Sequence, residues 1–213
     1  MPRRSAISMD PSMTEVALVI LASGMSKRMG KAKSLLAWPD DPLIQNQYRT
    51  AQLTNLDVYI SVSDTNEELI NYLEERNLNF LKVEESSRGM GHSMACITKQ
   101  LDSYQGILFW AVDQPFMHSE HLENLHKSFL KNPECIFYST SQNLGMGIPV
   151  LFPKRVFKKL ESLDGDKGAQ RIVQEDSNSK GVLCASMVLQ DMDNWEDYRT
   201  FYKREFGKLP AEN

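Results

Sequence analysis

EVALVILASGMSKRMGKAK, residues 15–33, is the stretch that decides the fold. It begins with a continuous apolar run over 15–22, which is typical of a buried strand in a parallel sheet. A loop that carries two glycines and four basic residues follows immediately, with no acidic residue to balance the charge. Ligands of open parallel sheets bind beyond the carboxyl ends of the strands. The stretch therefore predicts an α/β protein with an anion site at the end of its first strand.

The rest of the chain alternates between apolar runs and helical patterns. Such alternation predicts right-handed crossovers and a Rossmann-like, mostly parallel but mixed sheet with helices on both faces. Residues 1–14 contain no apolar core and are predicted to be a disordered tail, and 15–213 are predicted to form a single domain. The predicted strands are 15–22, 57–62, 79–83, 106–112, 134–139, 147–152 and 182–190, and the predicted helices are 42–53, 65–76, 93–101, 118–131, 154–160, 168–174 and 195–206.

Composition excludes several classes of protein. The net charge of −4 argues against a nucleic-acid-binding protein, because such proteins present a basic face. No apolar run approaches the roughly 20 residues that a membrane span requires. The three cysteines are widely spaced in apolar surroundings, which favours reduced thiols over disulfides or a zinc site. We expect a cytoplasmic protein.

The basic loop predicts a site for a triphosphate. Gly24 and Gly30 allow the backbone to approach a ligand closely, Arg28 suits a bidentate contact with phosphate, and Lys33 supplies a compact charge. The spacing differs from that of a Walker A loop, because five residues separate the glycines and Lys-Ala follows them. A dinucleotide-binding GxGxxG pattern is absent.

Acidic residues at strand ends predict a magnesium site. Asp113 follows the buried run GILFWAV, and a carboxylate beside a phosphate loop is well placed to bind Mg²⁺. Asp191 and Asp193 follow the last predicted strand, where alternation places both on one side. At least one of them is predicted to contact the metal, with Asp193 favoured, and the other is left as a candidate helix cap.

Four further patterns carry weaker signals. RGMGHSM, residues 88–94, places glycines before a helix N-terminus that suits an anion or the edge of a base. DGDKGAQR, residues 164–171, predicts a turn followed by a helix. His118, His121 and His126 are spaced along one helix, which we interpret as a solvated helix face because a further ligand is missing. Thr65, with Glu68 three residues later, predicts a capping box.

Taken together, these motifs resemble those of the MobA-like nucleotidyltransferases. LASGMSKRMGKAK is similar to the signature LAxGxSxRMGxxK of that family. GMGHSM, VDQPF, GMGIPVLF, DGDKGAQ and QDMDNWEDY resemble, in the same order, later motifs of its molybdenum cofactor cytidylyltransferase branch. The resemblance covers residues 16–202 and implies the fold of the nucleotide-diphospho-sugar transferases.

The resemblance also implies an activity and a set of site residues. The implied reaction transfers CMP from CTP to the phosphate of molybdopterin cofactor, releases pyrophosphate and requires Mg²⁺. The implied catalytic residues are Arg28, Lys33 and Asp113, and the implied metal ligands are Asp113 and Asp193. The implied nucleotide-binding residues are Leu21, Ala22, Ser23, Gly24, Ser26, Arg28, Lys33, Gly89, Gly91 and Ser93. The family also implies a transient handover of the product to a molybdoenzyme or its chaperone.

Four positions depart from the family pattern and keep other functions open. Val112 replaces a glycine before the acidic residue, Ile148 replaces the histidine of GHPV, and Trp195 replaces the proline of DTPED. Ser23 stands where cytidylyl enzymes tend to have alanine and guanylyl enzymes glycine, so the base is open. The alternatives are a sugar-phosphate or alditol-phosphate nucleotidyltransferase, and a nucleotide-binding family member that has lost catalysis.

Overall fold

The structure is a computed structural model that describes residues 15–24, 32–143 and 145–211. The predicted disordered tail, 1–14, lies outside these residues. The described chain forms a seven-stranded sheet in the order β3-β2-β1-β4-β6-β5-β7. Strand β6 runs antiparallel to both of its neighbours, and the other pairings are parallel. The predicted fold class, a mostly parallel mixed sheet, is therefore confirmed. The strands are β1 Val16–Leu21, β2 Asp57–Ser63, β3 Phe80–Val83, β4 Gly106–Ala111, β5 Ile136–Thr140, β6 Gly147–Pro153 and β7 Ser179–Leu183.

Helices cover both faces of the sheet because the central strands are apolar on both sides. Every residue of β1 and β4 is buried, as the uninterrupted apolar runs predict. One face packs against α1, α2 and α4, and the other against α3, α5 and α6. The helices are α1 Leu43–Gln52, α2 Glu67–Glu75, α3 Met90–Gln100, α4 Ser119–Lys131, α5 Phe157–Glu161, α6 Gln170–Glu175 and α7 Trp195–Phe206.

An aromatic cluster fixes the C-terminal helix α7 to the carboxyl edge of the sheet. The Trp38 ring lies 5.8 Å from the Tyr202 ring and 5.2 Å from the Phe206 ring, measured between centroids. The Tyr198 hydroxyl donates a hydrogen bond of 3.0 Å to the Ala37 carbonyl. Edge-on aromatic pairs contribute roughly 0.5–1.5 kcal/mol each beyond burial. The cluster thus holds the segment before α7 close to the loop that follows β1.

Local structure differs from the sequence predictions at three places. Helix α2 is capped by Asn66, whose side chain accepts from the Leu69 N–H, so the predicted cap at Thr65 is wrong. The predicted last strand, 182–190, is also wrong, since β7 ends at Leu183 and a 3-10 helix covers Ser186–Leu189. The prediction of a solvated histidine face is wrong for His121, which is 5% exposed because it lies on the side of α4 that contacts β5.

Two further observations concern the cysteines and the helices of the described residues. Cys96, Cys135 and Cys184 are free thiols. Within residues 15–24, 32–143 and 145–211, no helix combines the length and apolar character needed to cross a membrane.

Candidate active site

A cleft of about 530 Å³ opens at the carboxyl ends of β1 and β4. Neighbouring parallel strands end at this edge, so the loops that follow them meet there. Four of the predicted nucleotide-binding residues from the first loop line the cleft, namely Leu21, Ser23, Gly24 and Lys33. Ser26 and Arg28 lie outside the described residues.

The start of the first loop is held by β2. The Ala22 N–H donates to the backbone carbonyl of Ser61 at 3.2 Å and to its hydroxyl oxygen at 3.1 Å. The Ser61 hydroxyl in turn donates to the Ser23 hydroxyl at 3.4 Å. Ala22 is 5% exposed and contributes its backbone rather than a wall of the cleft. The start of this loop, at Ala22 and Ser23, is therefore anchored to β2.

Lys33, the predicted phosphate-binding cation, contacts both predicted metal ligands, Asp113 and Asp193. Its Nζ lies 3.3 Å from Asp113 Oδ2 and 3.1 Å from Asp193 Oδ1. The Lys33 side chain is 11% exposed, against 27% for Asp113 and 52% for Asp193. A cation with little access to water is stabilised by these two carboxylates, which converge on one point in the cleft.

Asp113 is positioned by hydrogen bonds on both sides of it. The Val112 N–H donates to the Leu21 carbonyl at 3.1 Å, which continues the ladder between β1 and β4. Gln47, buried on α1, donates from Nε2 to the Val112 carbonyl at 2.7 Å and to the Gln114 carbonyl at 3.3 Å. The backbone that carries Asp113 is thus anchored to a helix as well as to the sheet.

Asp193 is positioned by backbone contacts and by the cap of α7. The Met192 N–H donates to the Asp113 carbonyl at 2.8 Å, so the two acidic segments are joined directly. The Asp193 N–H donates to Asp197 Oδ2 at 2.8 Å, inside the capping box that Asn194 forms. Asp193 therefore reaches the cleft from a coil, and the strand alternation used in the sequence prediction does not apply.

Asp191 lies in the same acidic segment but does not line the cleft. Desolvation of its carboxylate, followed by repulsion from Asp113, raises the pKa of Asp191 to about 6, although part of the residue remains exposed. Asp193 is therefore the better placed of the two for a contact with a ligand in the cleft.

The second glycine loop forms the opposite wall. Gly89 has φ of +116°, and a Cβ there would lie 2.4 Å from Asp166 Oδ1. A Cβ on Gly91 would lie 2.5 Å from the Lys167 carbonyl oxygen, and the Gly91 N–H donates to the Gly165 carbonyl at 2.9 Å. The glycines thus allow the turn at 164–168 to rest on the start of α3.

This packing separates the predicted residues of the second loop. Gly89 and Ser93 line the cleft, whereas Gly91 faces the turn behind it. Four residues that were not among the predicted site residues also line the cleft, namely Ser86, Ser87, Met90 and Asp166. Asp166 belongs to the motif DGDKGAQ, residues 164–170. The spacing of that motif did not indicate that it would pack on the glycine loop at 88–94.

The donor set fits a divalent ion that is shared with a phosphate. Among the described residues no three His, Cys, Asp or Glu side chains are grouped to hold a metal ion. Mg²⁺ is commonly bound by one or two carboxylates together with substrate phosphates and water. Asp113 and Asp193 already surround one positive charge, that of Lys33. The pair is therefore suited to a metal that arrives with a nucleotide.

Residues 18–180 match the MobA-like NTP transferase domain. The chain belongs to this family. It is 26% identical over 194 residues to the purine catabolism protein PucB of Bacillus subtilis (strain 168), a match that covers 84% of this chain and 92% of that protein. The family resemblance drawn from the sequence motifs is thus confirmed.

Solved structures show the same fold. The homologue of Mycobacterium tuberculosis Rv0371c from Mycobacterium sp. strain JC1 has a TM-score of 0.78 and 25% identity, covering 89% of this chain and 96% of that one. Rv0371c itself, in a complex with manganese, has a TM-score of 0.73 and 21% identity, covering 89% and 98%. As a MobA-like NTP transferase, the chain has the mixed sheet of the nucleotide-diphospho-sugar transferase fold.

Proposed function

We propose that the chain transfers CMP from CTP to the phosphate group of a molybdopterin-type cofactor and releases pyrophosphate. The observation that carries the proposal is the convergence of Lys33, Asp113 and Asp193 on one cleft at the ends of β1 and β4. Catalysis of such a transfer depends mainly on neutralising the charge of two anionic reactants and on positioning them. The motif resemblance supports the choice of base and acceptor.

In the proposed reaction an oxygen of the acceptor phosphate attacks the α-phosphorus of CTP. A new P–O bond forms to that phosphorus, the bond to the oxygen bridging the α- and β-phosphates breaks, and pyrophosphate leaves with the electron pair. No covalent intermediate with the protein is needed. The product is a diphosphate that links the cofactor to cytidine.

Different residues of the cleft are proposed to contact the phosphates, the nucleoside and the metal ion. Lys33 and Arg28 are proposed to bind the β- and γ-phosphates and to stabilise the leaving pyrophosphate. The Ser23–Gly24 turn and the wall formed by Gly89 and Ser93 are proposed to contact the nucleoside. Asp113 and Asp193 would hold the Mg²⁺, which supplies charge stabilisation at the α-phosphate when it is bound.

A pyrophosphate-release assay tests this proposal. Purified protein is given each of the four NTPs with Mg²⁺, first with molybdopterin cofactor and then with a panel of sugar and alditol phosphates. We expect release with CTP and the cofactor, and none when either is omitted. Release only with a sugar or alditol phosphate would mean that the acceptor is not molybdopterin cofactor. Release with another NTP would mean that the nucleotide is not CTP. Binding of NTP without pyrophosphate release in any mixture would mean that the chain is a nucleotide-binding protein without catalytic activity.

A further inference from the structure

Ser61 is a fully buried hydroxyl group near the carboxyl end of β2. The strand reads DVYISVS, and Ser61 has no solvent exposure between Ile60 and Val62. It pairs with Leu21, the last residue of β1, so it lies directly beneath the loop that carries Ser23. A hydroxyl group is buried at a cost unless it is hydrogen-bonded. The partners of Ser61 therefore show what the residue holds in place.

The hydrogen bonds of Ser61 run in one direction, toward the cleft. They begin at the Ala22 N–H, a group that can only donate, which lies 3.1 Å from Ser61 Oγ. The Ser61 hydroxyl donates in turn to Ser23 Oγ at 3.4 Å. Ser23 is 4% exposed and lines the cleft. Because Ser23 Oγ accepts from Ser61, its own proton is left for an acceptor in the cleft.

The order of the strands places this donor away from the charged groups of the cleft. Strand β1 lies between β2 and β4. The Ser23 hydroxyl is held from the β2 side, whereas the Lys33 ammonium group is held by Asp113, which follows β4. A nucleotide whose triphosphate binds at Lys33 can therefore extend its nucleoside across the end of β1 toward Ser23.

The lining of the cleft on the β2 side suits a neutral group. Ser86 and Ser87 follow β3, the neighbour of β2, and both line the cleft. A nucleobase is uncharged, and a few fixed polar groups are enough to orient such a ligand and to give specificity. Hydroxyl groups on this side can meet the hydrogen-bonding edge of a base without the repulsion that a carboxylate would exert on the phosphates.

We propose that Ser61 is a positioning residue, which fixes the Ser23 hydroxyl as a hydrogen-bond donor to the acceptor edge of the nucleobase. Cytosine presents two adjacent acceptors on that edge, the ring nitrogen N3 and the carbonyl oxygen O2. A base with an N–H group at the same point would meet a second donor and would be bound less tightly. The inference rests on the proposed transfer and adds to it a means of selecting the base.

Ser61→Ala tests the inference without breaking the sheet. The Ala22 N–H keeps its hydrogen bond of 3.2 Å to the backbone carbonyl of residue 61, so β1 and β2 remain paired there. Ser63→Ala is the matched control. Ser63 is 7% exposed, lies on the same face of β2, and contacts the Thr65 hydroxyl at 2.9 Å rather than the cleft. Ser23→Ala removes the proposed donor itself.

Calorimetry with Mg²⁺ and without acceptor measures the affinity for CTP and for two analogues. One is 3-deaza-CTP, which lacks the N3 acceptor, and the other is 2-thio-CTP, whose sulfur is a weaker acceptor than O2. We expect the unaltered chain and Ser63→Ala to bind at least one analogue about three- to tenfold more weakly than CTP. In Ser23→Ala the affinities for that analogue and for CTP should agree within about twofold, because the donor is absent. Ser61→Ala should lower the ratio in the same way, because the Ser23 hydroxyl is then free to turn.

The failure of this inference can be distinguished from the failure of the proposed function. Absence of NTP binding to the unaltered chain would overturn the proposed transfer. Normal CTP binding with an analogue ratio that Ser61→Ala leaves unchanged would overturn the role of Ser61 alone, as would equal affinity of the unaltered chain for CTP and both analogues. Equal losses of CTP affinity in Ser61→Ala and Ser63→Ala, with equally lowered melting temperatures, would show a structural role only and would also overturn it.

Discussion

The ammonium group of Lys33 and the carboxylate of Asp113 form an ion pair at 3.3 Å, although eighty residues separate them in the chain. The pair joins the segment after β1 to the segment after β4, and both segments were predicted from the sequence to contact a nucleotide. In the proposed reaction the triphosphate would pair with Lys33 in place of Asp113, and the Asp113 carboxylate would then be free to hold the metal. Lys33 thus offsets part of the negative charge that Asp113 and Asp193 bring to the cleft.

Asp113→Asn is predicted to abolish transfer and to leave nucleotide binding in place. Loss of the metal-binding carboxylate should reduce turnover by at least about 100-fold, because electrostatic stabilisation of the reacting phosphate is the largest contribution to catalysis. CTP affinity in the presence of a chelator should stay equal or increase, since one negative charge is removed. Pyrophosphate release and calorimetry measure the two effects.

Asp102→Asn is the matched control for that substitution. Asp102 is exposed in the turn before β4, at the amino-terminal edge of the sheet. We expect activity like that of the unaltered chain. Equal turnover in the Asp113 and Asp102 variants would remove Asp113 from the metal site.

Gln47→Leu is predicted to lower kcat more than CTP affinity, because Gln47 positions the segment that carries Asp113. The change removes hydrogen bonds to the Val112 and Gln114 carbonyls, and an unsatisfied buried carbonyl costs about 1–3 kcal/mol. We expect a loss of about tenfold in kcat, with CTP affinity within about threefold. Gln52→Leu, an exposed change on the same helix, should have neither effect. A lower melting temperature with unchanged kcat would assign Gln47 a structural role only.

Much of the fold could be predicted because it depends on local pattern. The apolar runs of β1 and β4 predicted strands buried on both faces, and α7 was predicted with its observed bounds, Trp195–Phe206. The direction of β6 was not predicted. It depends on which strands pair across the sheet, and that information is not local.

The candidate site was predictable in part for the same reason. Asp113, just after β4, and Lys33, in the segment that follows β1, could be placed at one edge of the sheet by topology alone. Asp193 was identified for the wrong reason, since it is carried by a coil fixed through Met192 and the cap of α7. Asp166 was missed because its position depends on the packing of one glycine loop on another.

Gly91→Ala is predicted to displace the turn at 164–168 and to weaken nucleotide binding. The new methyl group would lie 2.5 Å from the Lys167 carbonyl oxygen and 3.0 Å from that of Gly165, so the backbone of the turn has to move. Overpacking of this kind costs about 1–3 kcal/mol. We expect a lower melting temperature and lower CTP affinity, measured by calorimetry.

Gly145→Ala is the control for that change, since a Cβ there meets no described atom within 4 Å. It carries the same gain from reduced backbone freedom in the unfolded chain. A melting temperature for Gly91→Ala that matches the Gly145→Ala value would show that the turn does not rest on Gly91.

His121 is predicted to make the fold less stable as the pH falls below about 6.5. Burial lowers the pKa of His121 to about 4, while the unfolded chain has the ordinary value near 6.5. The Ser139 hydroxyl donates to the Pro149 carbonyl and therefore accepts from His121 Nε2, 2.8 Å away. Between these two pKa values the unfolded state binds a proton that the folded state does not, so the free energy of unfolding decreases by up to about 1.4 kcal/mol per pH unit.

Urea unfolding at pH 7.5 and 5.5 should show a larger loss of stability for the unaltered chain than for His121→Gln. The exposed His118→Gln should behave like the unaltered chain. Equal losses in the unaltered chain and in His121→Gln would mean that His121 takes up its proton as readily in the folded as in the unfolded chain.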